Sequence, residues 1–261
     1  MSPDLPTASA VAAHLDALLA TATVPDYPPA LNGLQLDARG PVRRVAAAVD
    51  LSRRTIEGAI AAGANLLVVH HGMFWGGAQR LVGAAYERLR LLVEHDVAVY
   101  ASHLPLDLHP ELGNNVLLAR ELGLAPDGGF GAFKGVQVGV QGASDVPTAE
   151  LVRRADAFAR THGGLAVATA HDPARRTRRW AVATGGSASS DSLREARDAG
   201  VDTFIVGEGP HHTAVEAPEH GLVIVYAGHY ATETLGVQAL ARELERAFGL
   251  PWSFVSAPTG L

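Results

Sequence analysis

The 261-residue sequence contains no cysteine. That removes disulfides, thiolate metal ligands and cysteine nucleophiles together, so any metal must be held by imidazole and carboxylate. No apolar run approaches the roughly 18 to 20 residues that a membrane helix needs, and 48% hydrophobic with 18% charged residues is an ordinary globular composition. The opening stretch, MSPDLPTASAVAAHLDALLA, lacks the basic start and unbroken apolar run of a secretory signal and carries Asp4, His14 and Asp16. The expectation is a mature cytoplasmic start with no membrane partner. Positive charge is scarce as well: a formal net charge of −6 argues against a general nucleic-acid binder, which would show a basic face. The one basic cluster, Arg175, Arg176, Arg178 and Arg179, fits either a phosphate grip or the solvated flank of a hairpin.

What is present is an alternation of short β-branched runs with longer helical patterns. A helix is expected around Ala10 to Ala20, with Val11, Leu15, Leu18 and Leu19 on one face, followed by the proline-rich loop VPDYPPALNGLQL. A strand through Val45 to Val49, a helix opened by Ser52 and closed by Gly63, and a strand Asn65 to Val69 running into His70 and His71 start a βαβ series. A helix near Tyr86 to Glu94 leads to strand Val97 to Ser102, after which HLPLDLHPELGNN reads as a loop and Pro110 as the opening of a helix ending near Gly123. Glycine-rich APDGGFGAFKG is the expected domain boundary.

Beyond it the pattern predicts strand Val136 to Val140, helix Thr148 to Thr161, strands near Leu165 to Thr169 and Trp180 to Thr184, and helix Ser192 to Ala199. Strand Thr203 to Val206, a short helix at Pro210, strand Leu222 to Tyr226, a long helix to Phe248 and a last strand Trp252 to Val255 complete it. Strands alternating with helices mean an α/β protein with mostly parallel or mixed sheets.

In such sheets ligands gather outside the carboxyl ends of strands, and metal-type side chains collect there. NLLVVHH ends on His70 and His71, VAVYASHLPLD on His103 and then Asp107, and LVIVYAGHYATE on His229 with Glu233 just beyond. A lone strand-end histidine is as well explained by a structural hydrogen bond. The doublet changes that weighting, because adjacent imidazoles point in different directions and suit two neighbouring ions better than one. Two cations a few ångströms apart need carboxylates to neutralise them, which Asp107 and Glu233 supply. Mixed imidazole and carboxylate ligation points to zinc, iron, manganese, cobalt or nickel rather than calcium or magnesium. Gly228 favours a loop ending at His229 with Glu233 in the first helical turn, the alternative being a helix that begins at His229 and puts both on one face. A fourth cluster, Glu208, His211 and His212 in GEGPHH, fits further ligands, proton shuttles or substrate contacts, or simply a polar helix start. TGGSASSDSL fits a phosphate seat or a flexible turn.

The blocks LNGLQ, NLLVVHHGMFW, SHLPLDLHPELGNN, GGSASSDSL and GEGPHHTAVEAPEHGLVIVYAGHYATE together resemble the NGG-interacting factor three-like (Nif-three-like) proteins, often catalogued as GTP cyclohydrolase 1 type 2 homologues. The resemblance implies two divalent metal ions per chain, one on His71 and Asp107, the other on His70 and His229, with Glu233 bridging. It implies two similar α/β domains with mixed sheets flanked by helices, residues 1–126 plus 222–261 carrying the metal and 127–221 forming the second, assembled as a toroidal homohexamer. Glu208, His211 and His212 match a block lining the interior of that ring. Asn32 and Gln35 match the early loop block without an evident role. His103 and Leu104 stand where the family has His-Thr, and Gly72 where it has proline, changes that spare the implied ligands. The expected function is a metal-dependent hydrolase acting on a nucleotide, phosphoester or cyclic amidine, with Glu208, His211 or His212 moving protons. The rival is a metal-binding, storage or regulatory assembly without turnover.

Overall fold

The computed structural model describes residues 5–261, so the first four residues of the expected N-terminal start lie outside the described residues. By packing, the chain forms two units, Met1–His109 with Gly236–Ala257, and Pro110–Leu235 with Pro258–Leu261. In the first, Thr7 accepts a hydrogen bond from Ala10 N and opens α1 (Ala8–Leu18), which buries Ala8, Val11, Ala12 and Leu15. Then come β1 (Gly33–Leu36), β2 (Val45–Asp50) and α2 (Arg53–Ala61). Ser52 starts α2 as expected, through a capping box with Thr55. β3 (Leu66–His71), α3 (Ala84–Glu94), β4 (Ala98–Ala101) and a one-turn α4 (Leu104–Asp107) follow.

Two expectations change here. Asp107 sits on α4 rather than in a loop, because Leu106 N and Asp107 N both donate to the His103 carbonyl. Pro110 opens no helix; α5 (Asn114–Glu121) begins later. Its start is set by Asn115, which donates to the Val138 carbonyl at 2.6 Å and accepts from Thr184 N at 2.8 Å.

The second unit continues with β5 (Gly128–Phe133), β6 (Val136–Pro147), α6 (Thr148–Thr161), β7 (Val167–Ala168), β8 (Arg176–Ala183), α7 (Ser190–Asp198), β9 (Thr203–Val206), α8 (His211–Glu219), β10 (Val223–Tyr226) and α9 (His229–Thr232). The glycine-rich stretch expected at the domain boundary contains β5, joined to β6 through Lys134 and Gly135, both at positive φ. That is the backbone a two-residue hairpin turn demands. The sheet runs β5-β6-β8-β9-β10-β7, with β8, β9 and β10 parallel. The four arginines flank the β6–β8 pair: Arg176 and Arg178 pair with Asp145, Arg179 with Asp127, and Arg175 donates to the carbonyls of Asp202 and Gly221.

The chain re-enters the first unit within α10 (Thr234–Phe248) and ends that unit's sheet with β11 (Trp252–Phe254). The order is β1-β4-β3-β2-β11, parallel except for β1. β3 and β4 are buried along their whole length, and β2 up to Asp50. Such unbroken apolar runs are what strands covered on both faces require. Each unit is thus a mixed sheet with helices. Packing divides the chain at 109/110, 235/236 and 257/258, beside an expected division at 126/127 and 221/222, and β10 pairs with β9 and β7 in the second sheet.

Candidate metal centre

In the first unit the parallel strands β2, β3 and β4 end side by side, and their last residues supply the site. His70 and His71 are the final two residues of β3, and Asp50, the final residue of β2, lies opposite His71 in register. Successive strand residues face opposite ways, and each ring finds a different anchor. His70 Nδ1 lies 2.9 Å from the Ser102 carbonyl just after β4, while His71 Nδ1 lies 2.8 Å from Asp50 Oδ1. His103 Nδ1 lies 2.9 Å from Asp26 Oδ1. A carbonyl or carboxylate opposite Nδ1 puts the proton there and the lone pair on Nε2, which is how metal-binding histidines are commonly set.

The three ligand nitrogens of His70, His71 and His103 lie within 4.8 Å of one another. Their rings are tilted, with centroids 4.8 Å apart for His70 and His71 and 4.9 Å for His70 and His103. Asp107 brings a carboxylate oxygen to 3.5 Å from His70 Nε2. All four residues are buried. Three imidazoles gathered this closely with a carboxylate beside them form a donor set that suits a borderline divalent cation.

Two polar residues of the early loop explain why this geometry holds. Asn32 donates to Asp26 Oδ2 at 2.8 Å and accepts the His103 N–H at 2.7 Å, so one side chain fixes both members of the Asp26–His103 pair. Burial alone would raise the Asp26 carboxyl, but His103, Asn32 and the Tyr27 N–H outweigh it and hold it below the ordinary carboxylate range.

In the second unit α9 starts at His229 itself, directly after Gly228 at φ +91°, and Glu233 is its last, half-helical residue. The helix-start alternative is therefore the one the chain adopts. His229 Nε2 meets Glu233 Oε2 at 3.2 Å and its Nδ1 meets Glu208 Oε1 at 2.8 Å. Burial opposes charge on this ring, yet the two carboxylates, Glu233 foremost, push its pKa up to about 9. A ring held between two carboxylates marks a place that attracts a cation.

The TGGS loop serves this carboxylate. Gly185 has φ +64°, and a Cβ there would come within 2.1 Å of Glu233 Oε1, so only glycine lets the backbone close on Glu233. Gly185 N also donates to Thr232 Oγ1 at 3.1 Å. At the far end of the loop, Ser189 and Ser192 cap α7 reciprocally. Of the GEGPHH cluster, Glu208 reaches the site through His229, whereas His211 and His212 occupy the first turn of α8 as exposed residues.

Residues that sequence reading missed are Asp26 and Asp50, and His103 it noticed without giving it a ligand role. Asp50 was findable, being a carboxylate on the C-terminal end of a strand beside the strand that carries His71. Asp26 sits in the proline-rich loop, where no periodicity marks it.

A family model described as Duf34/NIF3 (NGG1p interacting factor 3) matches residues 6–259. A GTP cyclohydrolase 1 type 2 homolog of Halobacterium salinarum is 44% identical over 244 residues, covering 91% of this chain and 94% of the relative. One from Deinococcus radiodurans is 40% identical over 236 residues, covering 90% and 88%. The solved structure of a protein called ybgI, described as of unknown function, superposes with a TM-score of 0.87 at 32% identity, covering 98% of this chain and 100% of that one.

Proposed function

We propose, on the premise that the chain belongs to the Duf34/NIF3 (NGG1p interacting factor 3) family, that it is a dinuclear metal protein and a metal-dependent hydrolase. In this reading His71 and Asp107 hold one ion, His70 and His229 the other, and Glu233 bridges both. The ions are zinc, iron, manganese, cobalt or nickel. The observation that carries it is the set of Nδ1 anchors: Ser102, Asp50 and Glu208 each pin one histidine at Nδ1 and leave its Nε2 as the nitrogen for an ion.

Bound divalent ions supply Lewis acidity and a nucleophile of lowered pKa to a hydrolytic site. The chain's own residues supply the rest. Asp50 and Glu208 orient the ligand rings, Asp26 and Asn32 fix His103, and Glu208 or one of His211 and His212 moves protons. The substrate class is a nucleotide, phosphoester or cyclic amidine; relatives carry the name GTP cyclohydrolase 1 type 2 homolog. The working form is a cytoplasmic toroidal homohexamer.

Elemental analysis tests the ligand assignment. Glu233→Gln lowers metal content at both positions, and Asp107→Ala depletes one ion preferentially. Two ions per chain retained in the Glu233 variant overturn the bridge, and equal loss of both in the Asp107 variant overturns the division of ligands. Turnover is tested on metal-reconstituted protein with nucleotides, phosphoesters and cyclic amidines, the Glu233 variant serving as blank. Silence across that panel leaves a metal-binding assembly without turnover.

A further inference from the structure

The histidine cluster of the first unit has an aromatic border that the metal chemistry does not use. Trp75 is 38% exposed, yet its ring lies 4.4 Å from that of His103 and 4.7 Å from that of His71, centroid to centroid. Tyr27 is 49% exposed with its ring 6.1 Å from that of His103. The other two tryptophans have structural roles: Trp180 is fully buried, and Trp252 donates to Glu245 and lies beneath the Arg242 guanidinium.

Both exposed rings are held by a built scaffold. Gln35 donates to the carbonyls of Ala30 and Leu31 at 3.0 Å each and accepts the Met73 N–H at 2.7 Å, so one side chain ties the turn after Tyr27 to the turn that carries Trp75. Gly72 makes room for it, since a Cβ there would lie 2.2 Å from Gln35 Oε1. The Tyr27 end is fixed as well: its N–H donates to Asp26 at 2.6 Å and its carbonyl accepts from Ala30 N at 2.9 Å. Large flat side chains with two rotatable bonds, fixed at their base and open to solvent, lose little entropy on binding and present a π face to a ligand.

We infer that Trp75, with Tyr27 beside it, is the specificity wall of the centre, and that it selects ligands bearing a planar ring over ringless phosphoesters. Stacking on an aromatic side chain tolerates any flat heterocycle, so the wall chooses a chemical class rather than one base. The inference rests on the metal-centre reading above and narrows its substrate range from three classes to the ring-bearing ones.

The test is equilibrium binding to the metal-loaded full chain, comparing the four nucleoside 5′-monophosphates with ribose 5-phosphate, which share a phosphate and sugar and differ in the ring. At least one nucleotide binds about tenfold or more tighter than ribose 5-phosphate. Trp75→Leu cuts that preference below about twofold while metal content by elemental analysis stays at the wild-type level, Trp75→Phe keeps most of it, and Tyr27→Leu reduces it by a smaller factor. No preference for any nucleotide, including no binding of either probe, overturns the wall, and so does a full preference surviving in Trp75→Leu. Loss of metal in Trp75→Leu transfers the decision to Trp75→Phe and Tyr27→Leu, and wild-type preference in both of those overturns it. A ring preference in protein that takes up no metal counts against the metal centre alone.

Discussion

The two units present their candidate metal-binding groups by opposite means. In the first, three buried histidines turn their Nδ1 atoms outward to a carbonyl and two carboxylates, and the lone pairs that remain converge. In the second, one histidine has a carboxylate at each nitrogen, Glu208 at 2.8 Å and Glu233 at 3.2 Å. One arrangement is rich in neutral donors and the other in negative charge. Convergent lone pairs give geometry and metal preference, whereas paired carboxylates give attraction.

The contrast is most easily broken through backbone space. Gly63 and Gly185 both have positive φ, but a Cβ at Gly63 meets nothing within 4 Å whereas one at Gly185 strikes Glu233. Gly63→Ala costs about 1 kcal/mol in urea unfolding, and Gly185→Ala costs about 3 kcal/mol or more and lowers metal content as well. Equal costs would show that the Gly185 loop has no special relation to the carboxylate.

A smaller effect separates the two anchoring carboxylates. Asp50→Asn and Glu208→Gln each weaken metal affinity about 10- to 100-fold, the first at the ion assigned to His71 and the second at the ion assigned to His229. Competition titration against a chromogenic chelator reads the two phases. Loss of the same phase in both variants removes the division between the halves.

The smallest effect is on pH dependence in metal-stripped protein. His229 has a folded pKa raised to about 9 from 6.5, against burial, by Glu233 and Glu208. Its stabilising contribution is therefore fully present below about pH 6.5 and is lost as pH rises through about 9. Asp26 has a lowered folded pKa, so its contribution is present above about pH 4 and is lost as pH falls through the lowered value. Urea midpoints in His229→Gln lose the alkaline decline, worth roughly 1 to 2 kcal/mol after solvent screening, and those in Asp26→Asn lose the acid one. A single variant that abolished both declines would merge the two halves electrostatically.

Sequence pattern revealed most of the elements, because strands such as β3 and β9 are unbroken apolar runs bounded by turn residues, and Ser52 announces α2. It missed β1 and β5, whose glycines read as loop, and it extended helix expectation to Pro110 where the anchoring of Asn115 decides. The five residues proposed as ligands were picked out for a related reason: they follow strand ends, the one location where linear order predicts convergence. Asp26, Asn32 and Gln35 act through long-range hydrogen bonds to His103 and Met73, and no local pattern encodes such partners.

The order in which the chain is synthesised gives β11 a further meaning. β2 stands next to β11 at the margin of the first sheet, yet a ribosome delivers β2, β3 and β4 long before Trp252. Through all of that interval Val45 to Ala47 present an unpaired, alanine-rich strand edge to solvent, a template for other strands. Each unit is closed by a C-terminal segment, the first by β11 and the second by Pro258–Leu261, and the three histidines at the first unit's strand ends are held by a sheet still lacking its margin until β11 arrives. The second unit waits longer still, because Tyr230 N, in the turn between His229 and Glu233, donates to the carbonyl of Leu261.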